Sequence, residues 1–168
     1  DLLRFTFPDS DKYVFGRPLS LELVGIVTKD DWSFNHVARF VWRYLTIAKT
    51  FLGSENVQVS MALPYAELPG EYFDVVPQNI IICEDGSASL IDREWELTLP
   101  IEVAYLLFRS LILLLNSTTR FGRPVSQAGM TRRQFVDGVF AAVGLGVREE
   151  DYGRYIRLEA DIQESVTG

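Results

Sequence analysis

Three polar side chains in one short stretch have the types and spacing to do chemistry together. In FDVVPQNIIICEDGSASLIDREWE, residues 73–96, Asn79 follows Asp74 by five positions and Asp92 follows Asn79 by 13. Between them lie Pro77, an apolar run at 80–82 and the dipeptide Asp85-Gly86, the strongest short-range hairpin signal. If Asp85 and Gly86 form a two-residue loop, Cys83 faces Ala88, Ile80 faces Ile91 and Asn79 faces Asp92. Opposed residues share one face of the ladder with Cβ atoms roughly 5 Å apart. The spacing therefore predicts an amide oxygen and a carboxylate converging at the open end of the hairpin. Two such oxygens suit a hard cation like Mg2+, which keeps waters and takes substrate phosphates. Pro77 cannot join a central ladder, so the segment before Asn79 reads as a loop. That loop can return Asp74 to the same place as an unliganded carboxylate, free to orient or deprotonate a hydroxyl. The plainer reading is that Asp and Asn are common turn residues and that Asp74 is a local cap.

The surrounding elements follow from periodicity and punctuation. Residues 2–7 and 12–15 read as short strands joined by a PDSDK turn, and the segment from Gly16 and Pro18 as a turn into a short helix. In DDWSFNHVARFVWRYLTIAKTFLG, apolar residues recur every three and four positions, predicting a helix over 31–52 with Asp30 or Asp31 as cap and Gly53 as stop. His36, the one histidine, lies near its first turn with no motif around it, which favours a structural role. Residues 57–61 read as a strand and LPYAELPGEYFD as a loop. An apolar helix starts at Pro100, a suitable first helical position. Thr131 and Gln134 form a capping-box pair opening the next helix, and REEDYGRYIRLEADIQ forms the last. The fold class expected is α+β, mainly helical, in a single domain over 1–168.

Composition narrows the function classes. An apolar fraction of 48% indicates a globular chain with a real core. A net charge of −7 argues against a nucleic-acid surface, and the acidic last helix against a recognition helix. The one cysteine, Cys83, cannot form an internal disulfide, which fits a cytoplasmic setting. IEVAYLLFRSLILLLN carries Glu102 and Arg109 and falls short of the roughly 20 residues of a membrane span, so a buried core helix is expected. Trp32, Trp42, Trp95, Tyr65 and Tyr72 could line a glycan- or partner-binding surface, though aromatics on an apolar helix are ordinarily core. The start at a residue other than Met and the helical final residues suggest a piece of a longer protein.

The joint pattern, Asp-x-x-Pro-x-Asn, apolar strand, hairpin turn and apolar-Asp, resembles the catalytic segment of the aminoglycoside phosphotransferase and choline kinase-like branch of the protein-kinase-like fold. The resemblance implies a C-terminal lobe in which Asp74 is the base for the substrate hydroxyl and Asn79 and Asp92 hold Mg2+ and the ATP phosphates. Pro77 matches a family position and Glu94 the acidic residue two after the metal Asp, with a supporting role; Trp95, from its place in the sequence beside these residues and not from the resemblance, is the candidate substrate contact among the aromatics. YVFGRPLSLEL looks like the family's hinge. The resemblance spans roughly 10–116, its specific motif 74–94. Tyr72-Phe73 departs from the family's His-Gly, and the N-lobe is absent: no glycine-rich loop or strand lysine precedes the hinge, and Lys12 is misplaced for that role. The segment is also similar to a C-terminal region of bacterial multidomain glycosyltransferases and SAM-dependent methyltransferases of surface-polysaccharide synthesis.

The leading expectation is thus a kinase-like lobe of a larger bacterial transferase, moving phosphate from Mg·ATP to a hydroxyl of a small molecule or glycan and inactive in isolation. The alternative is a non-catalytic scaffold that docks the other domains of a methyltransferase or glycosyltransferase. S-adenosylmethionine enters only if a methyltransferase domain precedes the chain.

Overall fold

The computed structural model describes residues 2–6, 13–53, 58–126 and 129–167. The fold is α+β, with five helices in the described residues packed beside three small antiparallel sheets. The strands are β1 (Leu3–Phe5), β2 (Arg17–Pro18), β3 (Glu67–Leu68), β4 (Ile80–Ile82), β5 (Ala88–Leu90), β6 (Trp95–Leu97) and β7 (Ile101–Glu102). The helices are α1 (Ser20–Val27), α2 (Phe34–Lys49), α3 (Val103–Ser117), α4 (Arg132–Val143) and α5 (Glu149–Thr167).

At the centre lies α3, in which eleven of fifteen residues are buried, including Arg109 and Ser110. Burial on every side accounts for its nearly uninterrupted apolar sequence. Among the described residues, no helix is long and apolar enough to cross a membrane. Around α3 pack α2, through Val37, Val41, Tyr44, Leu45 and Ala48, and α4, through Phe135, Val136, Val139 and Phe140. Helix α4 opens with the expected reciprocal box: Thr131 Oγ1 accepts from the Gln134 N–H and Gln134 Oε1 from the Thr131 N–H. It closes at Gly144, whose φ of 72° suits a glycine.

Several expectations shift. Helix α2 is capped not by Asp30 or Asp31 but by Ser33, whose hydroxyl accepts from the His36 N–H while its own N–H donates to His36 Nδ1. That gives His36 a structural role. Residues 58–61 form no strand, and Pro100 precedes β7 rather than opening α3, whose first residue is Val103. No N-terminal hairpin forms among the described residues: 13–15 are irregular, and β1 pairs with the distant β6, Leu3 opposite Leu97 and Phe5 opposite Trp95. The predicted PDSDK turn and Lys12 lie outside the described residues. The hinge-like segment does enter a sheet, since β2 flanks β4, Arg17 opposite Ile82 and Pro18 opposite Ile81.

The β4–β5 hairpin departs from the expected register by one residue. Ile80 pairs with Leu90, Ile81 with Ser89 and Ile82 with Ala88. The Cys83 N–H donates to the Ser87 carbonyl, closing a three-residue loop of Glu84, Asp85 and Gly86. A two-residue loop on Asp-Gly needs positive φ at both positions. Here only Gly86 has it, at 82°, because the Asp85 carboxylate accepts from the Ser87 N–H and Oγ and so favours a turn that leaves Asp85 in ordinary backbone space. Asn79 therefore lies opposite Ile91, whose N–H donates to the Asn79 carbonyl, and not opposite Asp92.

Candidate functional site

The segment from Gly70 to Asn79 is two 3₁₀ turns, Gly70–Asp74 and Pro77–Asn79, joined by buried Val75 and Val76. A side chain at Gly70 would collide with the Leu97 carbonyl, so glycine lets the loop lie against β6. Pro77 takes the first position of the second turn, where a missing N–H costs nothing. Within the loop, Asn79 Nδ2 donates to the Asp74 carbonyl at 3.1 Å, tying the two predicted site residues into one ring of chain.

Two helices clamp this ring. From α2, Tyr44 Oη donates to the Val75 carbonyl at 2.8 Å, and Ser110 Oγ on α3 lies 3.0 Å from Tyr44 Oη. Burial pushes the Tyr44 phenol far up, so it stays a donor. From α3, Arg109 Nε donates to the Phe73 carbonyl at 2.9 Å, Nη2 lies 3.3 Å from Asp74 Oδ1 and Nη1 lies 2.7 Å from Glu159 Oε2. The guanidinium also sits over the Phe73 ring, 4.8 Å from its centre. Glu159, on α5, takes a second donor from Tyr105 Oη at 2.6 Å. Asp74 is thus held at Oδ1, with its side chain still 19% exposed.

With Ile91 opposite Asn79, regular strand alternation would put Asp92 on the other face of the ladder. Asp92 itself adopts φ 53°, a left-handed conformation uncommon outside glycine, so the alternation does not continue through it. Its charge lies close enough to Asp74 to act on it. Burial pushes the Asp74 carboxyl up most, Arg109 opposes this, and the like charges of Asp92 and Glu159 push the same way as burial. Asn79 is thus bonded to the Asp74 carbonyl, while Asp92 is linked to Asp74 through its charge and does not lie directly opposite Asn79.

Asn79 Oδ1 and the Asp92 carboxylate accept no hydrogen bond and pair with no cation among the described residues, so both remain available as ligands. An all-oxygen pair fits Mg2+ if phosphates and waters complete the shell. Among the described residues, no group of three or more His, Cys, Asp and Glu is placed to hold a metal without such help. Glu94 is half-buried and its carbonyl accepts from the Thr6 N–H. Trp95 stacks edge-on against Phe5 at 5.0 Å, so it joins β6 to β1. Tyr72 Oη and Gln78 Oε1, both in the clamped segment, are buried without a partner among the described residues.

Motif reading passed over Arg109 and Glu159. The signal was present: an arginine inside an apolar helix must be buried, and a buried charge must be paired. Its partners, 35 and 50 residues away, required the fold. Comparison with protein-family models, with curated proteins and with solved structures gave no match.

Proposed function

We propose that the chain is the larger lobe of a kinase-like phosphotransferase that moves phosphate from ATP to a hydroxyl of a small molecule or glycan. The observation that carries this reading is that the side-chain oxygens of Asn79 and Asp92 have no partner among the described residues, with Asn79 bonded to the loop of Asp74, whose carboxylate is held at Oδ1 alone among those residues. Asp74 would accept a hydrogen bond from the substrate hydroxyl through Oδ2 and orient it for attack. Its raised proton affinity favours taking the proton as the oxygen–phosphorus bond forms. Arg109 would hold that carboxylate at a fixed angle, a positioning task on which phosphoryl transfer chiefly depends. Asn79 and Asp92 would hold Mg2+, whose contribution is to neutralise the phosphate charge. The residues gripping the nucleotide from the other side would lie outside 1–168, in a longer transferase.

The second reading is a scaffold within a methyltransferase or glycosyltransferase. The Asp74–Arg109–Glu159 triad favours it, because that triad also works as a structural tie between the loop, α3 and α5. Titration of Mg·ATP into the chain, and into a version extended upstream, separates the two. Nucleotide binding to the extended protein that needs Mg2+ and is lost in Asp92→Asn supports the phosphotransferase. No binding, or equal binding in Asp92→Asn, supports the scaffold.

A further inference from the structure

A cavity remote from Asp74 has the makings of a ligand site. Its volume is about 440 Å³, within the range of small-molecule pockets. It lies at the C-terminal end of α3: nine residues of helical rise, roughly 13 Å, separate Arg109 from Thr118 in its wall.

The walls are aromatic and apolar. Trp32 and Phe135 meet edge-on at 5.8 Å, Phe121 stands edge-on to Phe135 at 5.5 Å, and Leu115 and Met130 complete the lining. The Trp32 indole N–H is already bound to the Gly122 carbonyl at 2.9 Å, which fixes the ring as a rigid wall. Thr118 contributes a hydroxyl that is buried yet has no partner among the described residues, a cost a ligand's polar group would remove.

Charge distinguishes this cavity from an ordinary packing defect. Two arginines line it, and neither guanidinium pairs with a carboxylate among the described residues, in a chain with net charge −7. Arg132 is held by the neutral Asn116 Oδ1 and Leu115 carbonyl, both at 3.0 Å. Arg123 is exposed and its guanidinium makes no bond among the described residues; its backbone alone is used, the N–H donating to Asp30 Oδ1 and the carbonyl accepting from the Asp31 N–H, both at 2.8 Å.

We propose that this cavity binds a small aromatic carboxylate, its ring against the wall formed by Trp32, Phe121 and Phe135, its carboxylate on Arg123 and a ring hydroxyl on Thr118. The site is independent of the phosphotransferase reading. The probe is 6-hydroxy-2-naphthoate, titrated into ¹⁵N-labelled full chain while the Trp32 indole N–H resonance, assigned with Trp32→Phe, is followed. The expected result is saturable movement with a dissociation constant below about 1 mM. Binding should weaken roughly tenfold for the uncharged 6-hydroxy-2-naphthamide and in Arg123→Ala, the loss of one charge-assisted contact. Arg123 is exposed, so the variant's spectrum should otherwise match the parent. No movement at about 5 mM probe, or equal affinity for acid and amide, or an unchanged response in Arg123→Ala, overturns the proposal.

Discussion

A guanidinium inside an apolar helix must find anions or leave the core, and Arg109 finds two. With its side chain 9% exposed, it shares its charge between Asp74 and Glu159 and donates its Nε–H to the Phe73 carbonyl. Removing it strands two carboxylates. Arg109→Met is therefore expected to destabilise the fold by about 3–5 kcal/mol, measured by urea unfolding, and Glu159→Gln in the same background should recover part of the loss. Asp92 gives a prediction of the opposite kind. Its left-handed φ of 53° is tolerated by Asn and resisted by Ala. Asp92→Asn should change stability by less than about 0.5 kcal/mol, whereas Asp92→Ala should cost about 1 kcal/mol. That contrast makes the Asn variant the proper control for any binding test at this position.

At the scale of elements, α5 depends on a carboxylate at its start. Asp151 is buried, accepts the Arg148 backbone N–H at 3.0 Å and Tyr65 Oη at 2.7 Å, and pairs with Arg148 and Arg154. Asp151→Asn keeps the shape but loses the charge, and is expected to cost about 1.5–3 kcal/mol, with faster hydrogen exchange in the first turn of α5. The elements also show what the sequence makes legible. Helix α2 follows from its 3.6-residue period, though not in its cap, and α4 from its Thr131–Gln134 box, because both signals are local. Among the short strands, β1 was legible within residues 2–7 but its pairing was not, and β3 has too few residues to show a period; their partners β6 and β7 lie far along the chain. The hairpin was legible as a hairpin but not in its register: that depended on whether Asp85 took positive φ or bonded Ser87, and the side-chain bond prevailed. The spacing of Asp74, Asn79 and Asp92 was legible in the sequence. The clamp on the loop that carries Asp74 was not, since Tyr44, Arg109 and Glu159 come from three separate helices.

For the whole molecule, two carboxylates push the acid dependence of stability in opposite directions. Asp74 has its proton affinity raised in the fold, chiefly by burial. The native state then binds that proton more tightly than the unfolded chain, so this contribution is full below the ordinary carboxylate pKa, near 3.8, and is lost as pH rises through the elevated native value. At Asp151, burial also pushes upward, but donations from Tyr65, Arg154 and Arg148 outweigh it and hold the carboxyl well below the ordinary range. Its contribution is present above about 3.8 and disappears as pH falls toward the depressed native value. Urea unfolding between about pH 3 and pH 7 should therefore show different changes in the two variants. Asp74→Asn should remove the decline on the rising-pH side, making stability above the carboxylate range flatter and relatively higher. Asp151→Asn should lower stability at neutral pH and reduce the loss on acidification. If Asp74→Asn instead steepens the fall with rising pH, Arg109 outweighs burial at that carboxylate. The carboxylate would then be a firmly ionised partner in a structural tie, and the case for Asp74 as a proton acceptor would fail with it.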